Sequence, residues 1–138
     1  MTYLLDTNTV VALLRNRPAR VRERLLHAVS ERASIVVSTV VLFELWYGVA
    51  RSGRPEENAE KLRALLSSDI SILSFEDSDA AIAGDLRAHL EASGNAIGPY
   101  DLLIAAQALR ANATLATANT SEFARVPGLV WEDWSVDS

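Results

Sequence analysis

The stretch "TYLLDTNTVVALL" (Thr2–Leu14) sets one short apolar run against another across three small polar residues. "YLLD" reads as a buried strand, and "VVALL" reads as the body of a helix running to about Arg15. Between them stands a single carboxylate, Asp6, followed by Thr7 and Asn8. A carboxylate at a helix start caps free backbone N–H groups. It is also well placed to be the first ligand of a site. Within this stretch alone the two readings are inseparable.

The same alternation continues along the chain. "RPARVRERLLHAVSERA" carries Val21, Leu25 and Val29 at a spacing of four, with Pro18 near its start, and reads as an amphipathic helix. "SIVVSTVV" (34–41) is β-branched on consecutive positions and reads as a second buried strand. "LFELWYGVARSG" reads as a helix that stops near Gly53 and Pro55. "PEENAEKLRALLSS" follows as a helix, and "ISILSF" (70–75) as a third strand. "DSDAAIAGDLRAHLEASG" is a helix with Ile82, Leu86 and Leu90 as its stripe and Gly94 at its end. "GPYDLLIAAQALRAN" is apolar nearly all round, which predicts a buried helix. "ATLATA" (113–118) is a fourth strand, and "GLVWE" (128–132) a short edge strand. Strands alternating with helices predict a single α/β domain over residues 1–138, with a mainly parallel sheet of four to five strands.

Composition narrows the chemistry. The 138 residues contain no cysteine and only two histidines, His27 and His89, so a thiolate site is excluded and a histidine-based zinc site has little to draw on. Neither a signal peptide nor a spanning segment is read, which implies a cytoplasmic protein. The net charge of −5 argues against nucleic-acid binding by the whole surface. Yet Arg15, Arg17, Arg20, Arg22 and Arg24 crowd into ten residues, while Lys61 is the single lysine. They are either a solvated helix face or a local phosphate-contacting patch.

Parallel α/β sheets place ligands beyond the carboxyl ends of their strands. Asp6 leaves the first strand. Glu44 follows the second, between Phe43 and Leu45, where a charge needs a partner: a site or an arginine. Asp101 opens the apolar helix that leads into the fourth strand, and Asn119 and Glu122 come after that strand. Capping remains open for Asp6 and Asp101, and a plain turn for Asn119 and Glu122. Asp69, Asp77 and Asp79 flank the third strand and read as caps. Clustered carboxylates raise one another's pKa, and a divalent cation relieves the repulsion. Oxygen-only ligands favour Mg²⁺ or Mn²⁺, and such a cation supports hydrolysis of a phosphodiester.

Four segments in order, "YLLDTNTVVALL", "SIVVSTVVLFELWYGVARS", "GPYDLLIAAQAL" and "TANTSEFARVPGLVWEDW", resemble VapC-type PIN-domain toxins nearly end to end. The resemblance implies a PIN-like three-layer α/β/α sandwich. It also implies a Mg²⁺- or Mn²⁺-dependent endoribonuclease, the toxin of a type II toxin–antitoxin pair. The family's acidic positions fall on Asp6, Glu44 and Asp101, with Thr7, Asn8 and Thr117 as supporting polar residues. Where PIN domains often carry a further aspartate, this chain has Asn119, with Glu122 three residues on. Which of the two fills that place, and whether one metal or two bind, stays open. The resemblance further implies a VapB-type antitoxin reaching the active site, and pairing of the toxin with itself. Phe43, Trp46, Tyr47, Leu13 and Leu14 are either core or a groove for an apolar partner helix.

Two enzyme rivals fit less well. A haloacid-dehalogenase-like phosphatase needs D-x-D, which here is Asp6-Thr7-Asn8, and a late lysine; a response-regulator receiver fails on similar grounds. A degenerate, binding-only PIN-like module would have lost one of Asp6, Glu44 or Asp101.

Overall fold

The computed structural model of the chain describes residues 1–136; the last two residues of the expected domain lie outside the described residues. Five strands form one parallel sheet: β1 (Thr2–Leu5), β2 (Ser34–Ser38), β3 (Ile70–Leu73), β4 (Thr114–Ala116) and β5 (Trp131–Glu132). The helices are α1 (Thr7–Arg15), α2 (Ala19–Ser30), α3 (Thr39–Ala50), α4 (Pro55–Leu66), α5 (Asp77–Ala92), α6 (Pro99–Ala111) and α7 (Thr120–Phe123).

The strand order is β3-β2-β1-β4-β5. From β1 the chain first moves outward through β2 to β3, then returns to the other side of β1 for β4 and β5. Crossovers between parallel strands are right-handed, so this reversal sends α1–α4 to one face and α5–α6 to the other. That is the expected three-layer sandwich. Leu4, Leu5, Val37, Leu115 and Ala116 are fully buried at its centre. Such sheets bind ligands where the order reverses, which here is the gap between the ends of β1 and β4.

Several boundaries differ from the sequence reading, each for a local reason. β2 ends at Ser38 rather than Val41 because the Ser38 hydroxyl accepts from the Val40 N–H and starts α3. A hydrogen bond there outweighs the β preference of three branched residues. β3 stops at Leu73, where the next backbone N–H groups turn to side chains: Phe75 donates to Thr39 Oγ1. β4 and β5 are also shorter than expected.

Of the three aspartates around β3 read as caps, Asp79 does cap α5, whereas Asp77 and Asp69 hold no cap position. Glu76 is the N-cap of α5, and Asp79 completes a capping box with it by accepting from the Glu76 N–H at 2.8 Å. Asp79 is fully buried and ion-paired with Arg110 of α6, which locks the two helices together. Asp77 is the first residue of α5, and Asp69 sits just before β3.

Gln107 is the other buried tie. Its Oε1 accepts from the Ser38 hydroxyl and its Nε2 donates to the Leu73 carbonyl at 3.3 Å. One side chain of α6 thus joins the ends of β2 and β3. Among the described residues, no helix is long and apolar enough to cross a membrane.

Removing one partner of a buried ion pair leaves an uncompensated charge. Arg110→Ala is expected to lower unfolding stability by about 3 kcal/mol in a denaturant titration. Asp79→Asn combined with Arg110→Met should recover part of the loss. A drop below about 0.5 kcal/mol in the single variant would show that the pair is not needed.

Candidate active site

Asp6 caps α1: its Oδ1 accepts the Thr9 N–H at 2.9 Å. Its own N–H donates to the Ala116 carbonyl at 3.1 Å, which seats it at the β1–β4 gap. The cap and the site are therefore one residue. Asp6 is only 4% exposed. Burial pushes its carboxyl above the ordinary range, hydrogen bonds from Thr117 and Thr9 pull the other way, and the charge of Asp133 adds to the rise.

Asp101 sits in the first turn of α6, where Gly98 rather than Asp101 holds the N-cap position. Its carboxyl is raised from 3.8 to about 6. Burial is the main cause, followed by a hydrogen bond to Glu122 and the charges of Glu122 and Asp6. Glu122, on the short helix α7, moves in the opposite direction. Asn119 Nδ2 donates to it at 2.6 Å and the Gly98 N–H at 2.8 Å, so its ionised form is favoured. The same Asn119 amide donates to Asp101 Oδ2 at 3.0 Å. Asn119 is itself oriented by its N–H to Thr117 Oγ1 at 2.9 Å. Asn119 and Glu122 thus work as a pair: the amide bridges two carboxylates that would otherwise repel.

Glu44 is attached differently. It accepts the Thr7 hydroxyl at 2.7 Å, and among the described residues no arginine ion pair holds it. Thr7 is the neighbour of Asp6, so α1 links the two acids. Asn8 is exposed and lines a pocket with Ala118 and Asp133. Asp133 itself escaped the sequence reading, although it follows β5 as Asp6 follows β1. Treating "GLVWE" as a full strand with a carboxylate at its exit would have found it.

The donors gathered here are carboxylate, amide and hydroxyl oxygens. Among the described residues no three acidic or histidine side chains converge tightly enough to hold an ion unaided. A hard cation does not require three, because Mg²⁺ commonly takes one or two carboxylates and keeps several waters. The donor set fits such an ion through Asp6 and Asp101.

An α/β sheet with acids clustered at its switch point defines a class that the comparisons make specific. The PIN domain family matches residues 3–129. The chain is 40% identical to Ribonuclease VapC2 of Rickettsia felis over 134 residues, which is 97% of this chain and 98% of the relative. It is 37% identical to the tRNA(fMet)-specific endonuclease VapC of Shigella flexneri, across 98% of this chain and 99% of that one. Its fold matches a chain in the crystal structure of VapBC2 from Rickettsia felis bound to a DNA fragment from their promoter, with a TM-score of 0.91 over 97% of this chain and 99% of that chain. A chain in the DNA-bound VapBC structure from Salmonella typhimurium, 34% identical, gives 0.88 over 97% of this chain and 98% of that chain. This chain belongs to the PIN-domain family, and within it to the VapC type.

The raised carboxyl of Asp101 has a consequence for stability. Between 3.8 and about 6 the folded chain holds a proton that the unfolded chain has released. This group's contribution therefore falls as pH rises through that window and stays lowest above it. Asp101→Asn is expected to raise the melting temperature of the metal-free chain by roughly 2–5 °C above pH 7, with no gain near pH 4. An equal gain at both pH values would show that the effect is not electrostatic.

Proposed function

We propose that this chain is a metal-dependent endoribonuclease that hydrolyses RNA phosphodiesters. In this reading it is the toxin of a type II toxin–antitoxin pair, held inactive by a cognate VapB-type antitoxin. The observation that carries the reading is the group formed by Asp6, Asp101, Asn119 and Glu122 at the sheet's switch point, in a chain whose relatives are named ribonucleases.

Asp6 and Asp101 would hold a Mg²⁺ or Mn²⁺ ion, with Glu44 completing the site through water. When bound, that cation supplies charge neutralisation at the phosphoryl oxygens and a more acidic water. The chain's own residues do the rest. Asn119 holds the Asp101 and Glu122 carboxylates together by donating to both, and it keeps Glu122 in its ionised form while burial raises Asp101. Once Asp101 is committed as a ligand, Glu122 is the carboxylate left to accept a proton from the attacking water. Thr7 fixes the orientation of Glu44. Retention of Asp6, Glu44 and Asp101 speaks against a degenerate binding module.

The relatives from Shigella flexneri and Salmonella typhimurium are named for tRNA(fMet), so that transcript is the first substrate to offer. Wild-type chain with Mg²⁺ is expected to cut it, with at least a hundredfold loss in Asp6→Asn and in Asp101→Asn or on adding a chelator. Equal cleavage by all of them would defeat the proposal.

The partner reading draws on two surfaces. A cleft of about 450 Å³ between α2 and α4 is lined by Leu14, Leu25, Leu26, Val29 and Leu65, and suits an apolar antitoxin segment. Of the residues read as either core or groove, Leu13 is buried in the floor of this cleft, and Trp46 is half-buried under the Arg63 guanidinium. Exposed Phe43 and Tyr100 pack ring to ring at 5.7 Å beside exposed Tyr47, an apolar face for self-pairing. Light scattering is expected to show Leu26→Asp losing the antitoxin complex and Phe43→Asp turning the isolated chain monomeric. Masses unchanged from wild type would count against the surface concerned.

A further inference from the structure

The arginine-rich segment that runs from the end of α1 into α2 divides by role. Arg22 is structural: it donates to Asn16 Oδ1 at 3.0 Å and to the Leu13 carbonyl at 2.9 Å, tying down the end of α1. Arg24 is ion-paired with Glu132 at 3.1 Å. Arg15 and Arg17 are different. Both are exposed, and among the described residues neither has an acidic partner.

Both line a cleft of about 510 Å³ between α1, α3 and α4. At its other end stand Thr7 and Glu44, the pair that borders the acidic site. Lys61 of α4 lies on the wall. One end of this cleft is therefore acidic and the other cationic. Along α1 the separation from Thr7 to Arg15 is eight residues, about 12 Å at the helical rise. A single phosphate cannot touch both ends. The arginines can serve a polyanion only at phosphates other than the one being cut.

We propose that this cleft seats the RNA strand flanking the scissile phosphate, with Arg15 and Arg17 as its phosphate contacts. The proposal rests on the ribonuclease reading, and gives a chain of net charge −5 a local means of holding a polyanion. Guanidinium groups suit the task because they grip phosphate bidentately. Gly48 of α3 lines the same cleft, and a side chain added there meets no atom within 4 Å. Its open floor admits a strand and also offers a clean way to obstruct one.

The test measures binding of a short labelled single-stranded RNA to chain carrying Asp6→Asn, so that no turnover is needed. Arg15→Gln with Arg17→Gln should weaken binding about tenfold and make the slope of log affinity against log salt shallower by about 1.4, or 0.7 for each lost contact. Gly48→Glu puts a carboxylate into the cleft without strain, and should weaken binding similarly. Arg87→Gln on α5, remote from the cleft, should change nothing. An unchanged slope, no measurable RNA binding, or a loss confined to antitoxin affinity overturns the proposal. A chain that binds RNA in this arginine-dependent way and cuts none would sink the ribonuclease reading and leave the cleft standing.

Discussion

Asp6 is buried where the sheet changes direction, and the rest of the site is arranged around keeping its carboxyl there. Its backbone N–H joins β1 to β4, and its side chain caps α1. Thr9 fixes the other strand end by donating its hydroxyl to the Ala116 carbonyl at 2.9 Å. A charge at such a place is disfavoured by desolvation, and the nearby acids add to the penalty. The hydroxyl of Thr117 and the amide of Asn119 act against it by donating hydrogen bonds to the carboxylates. The folded chain therefore concentrates negative charge at one spot and stabilises it only in part.

That arrangement was legible in the sequence to different depths. Strand exits were readable because each apolar run ends on a polar residue, so Asp6, Glu44 and Asp101 could be placed at neighbouring sheet ends. Boundaries were less readable, because Thr39–Val41 have strand propensity and helical position, and only the Ser38 cap decides between them. The pairing of Asn119 with Glu122 depends on α7, a helix too short to leave a periodic signature. Gln107 and Asp79 lay hidden for a different reason. A polar residue in an apolar helix shows no sign of its partner when that partner is some thirty or more positions away, as Arg110 and Ser38 are.

Charge shows the same division between whole and part. The formal balance of −5 describes the chain and misdescribes the surface beside the site. Two of the crowded arginines are consumed in holding α1 and β5 in place, while among the described residues two others have no acidic partner at the cleft. Counting basic residues could not separate these roles. The separation arises because α1 ends where α2 begins, so that neighbours in sequence face different parts of the fold.

The Gln107 tie has a consequence for how the site can be controlled. Its amide holds the start of α3, which carries Glu44, to α6, which carries Asp101. It does so from a fully buried position. A regulator acting by distortion would have to part these helices and strand both ends of a buried amide, at about 1–3 kcal/mol for each group left unsatisfied. A regulator that lies over the mouth of the site leaves every one of those bonds intact. The fold thus resists control by deformation, because parting α3 from α6 breaks a fully buried tie.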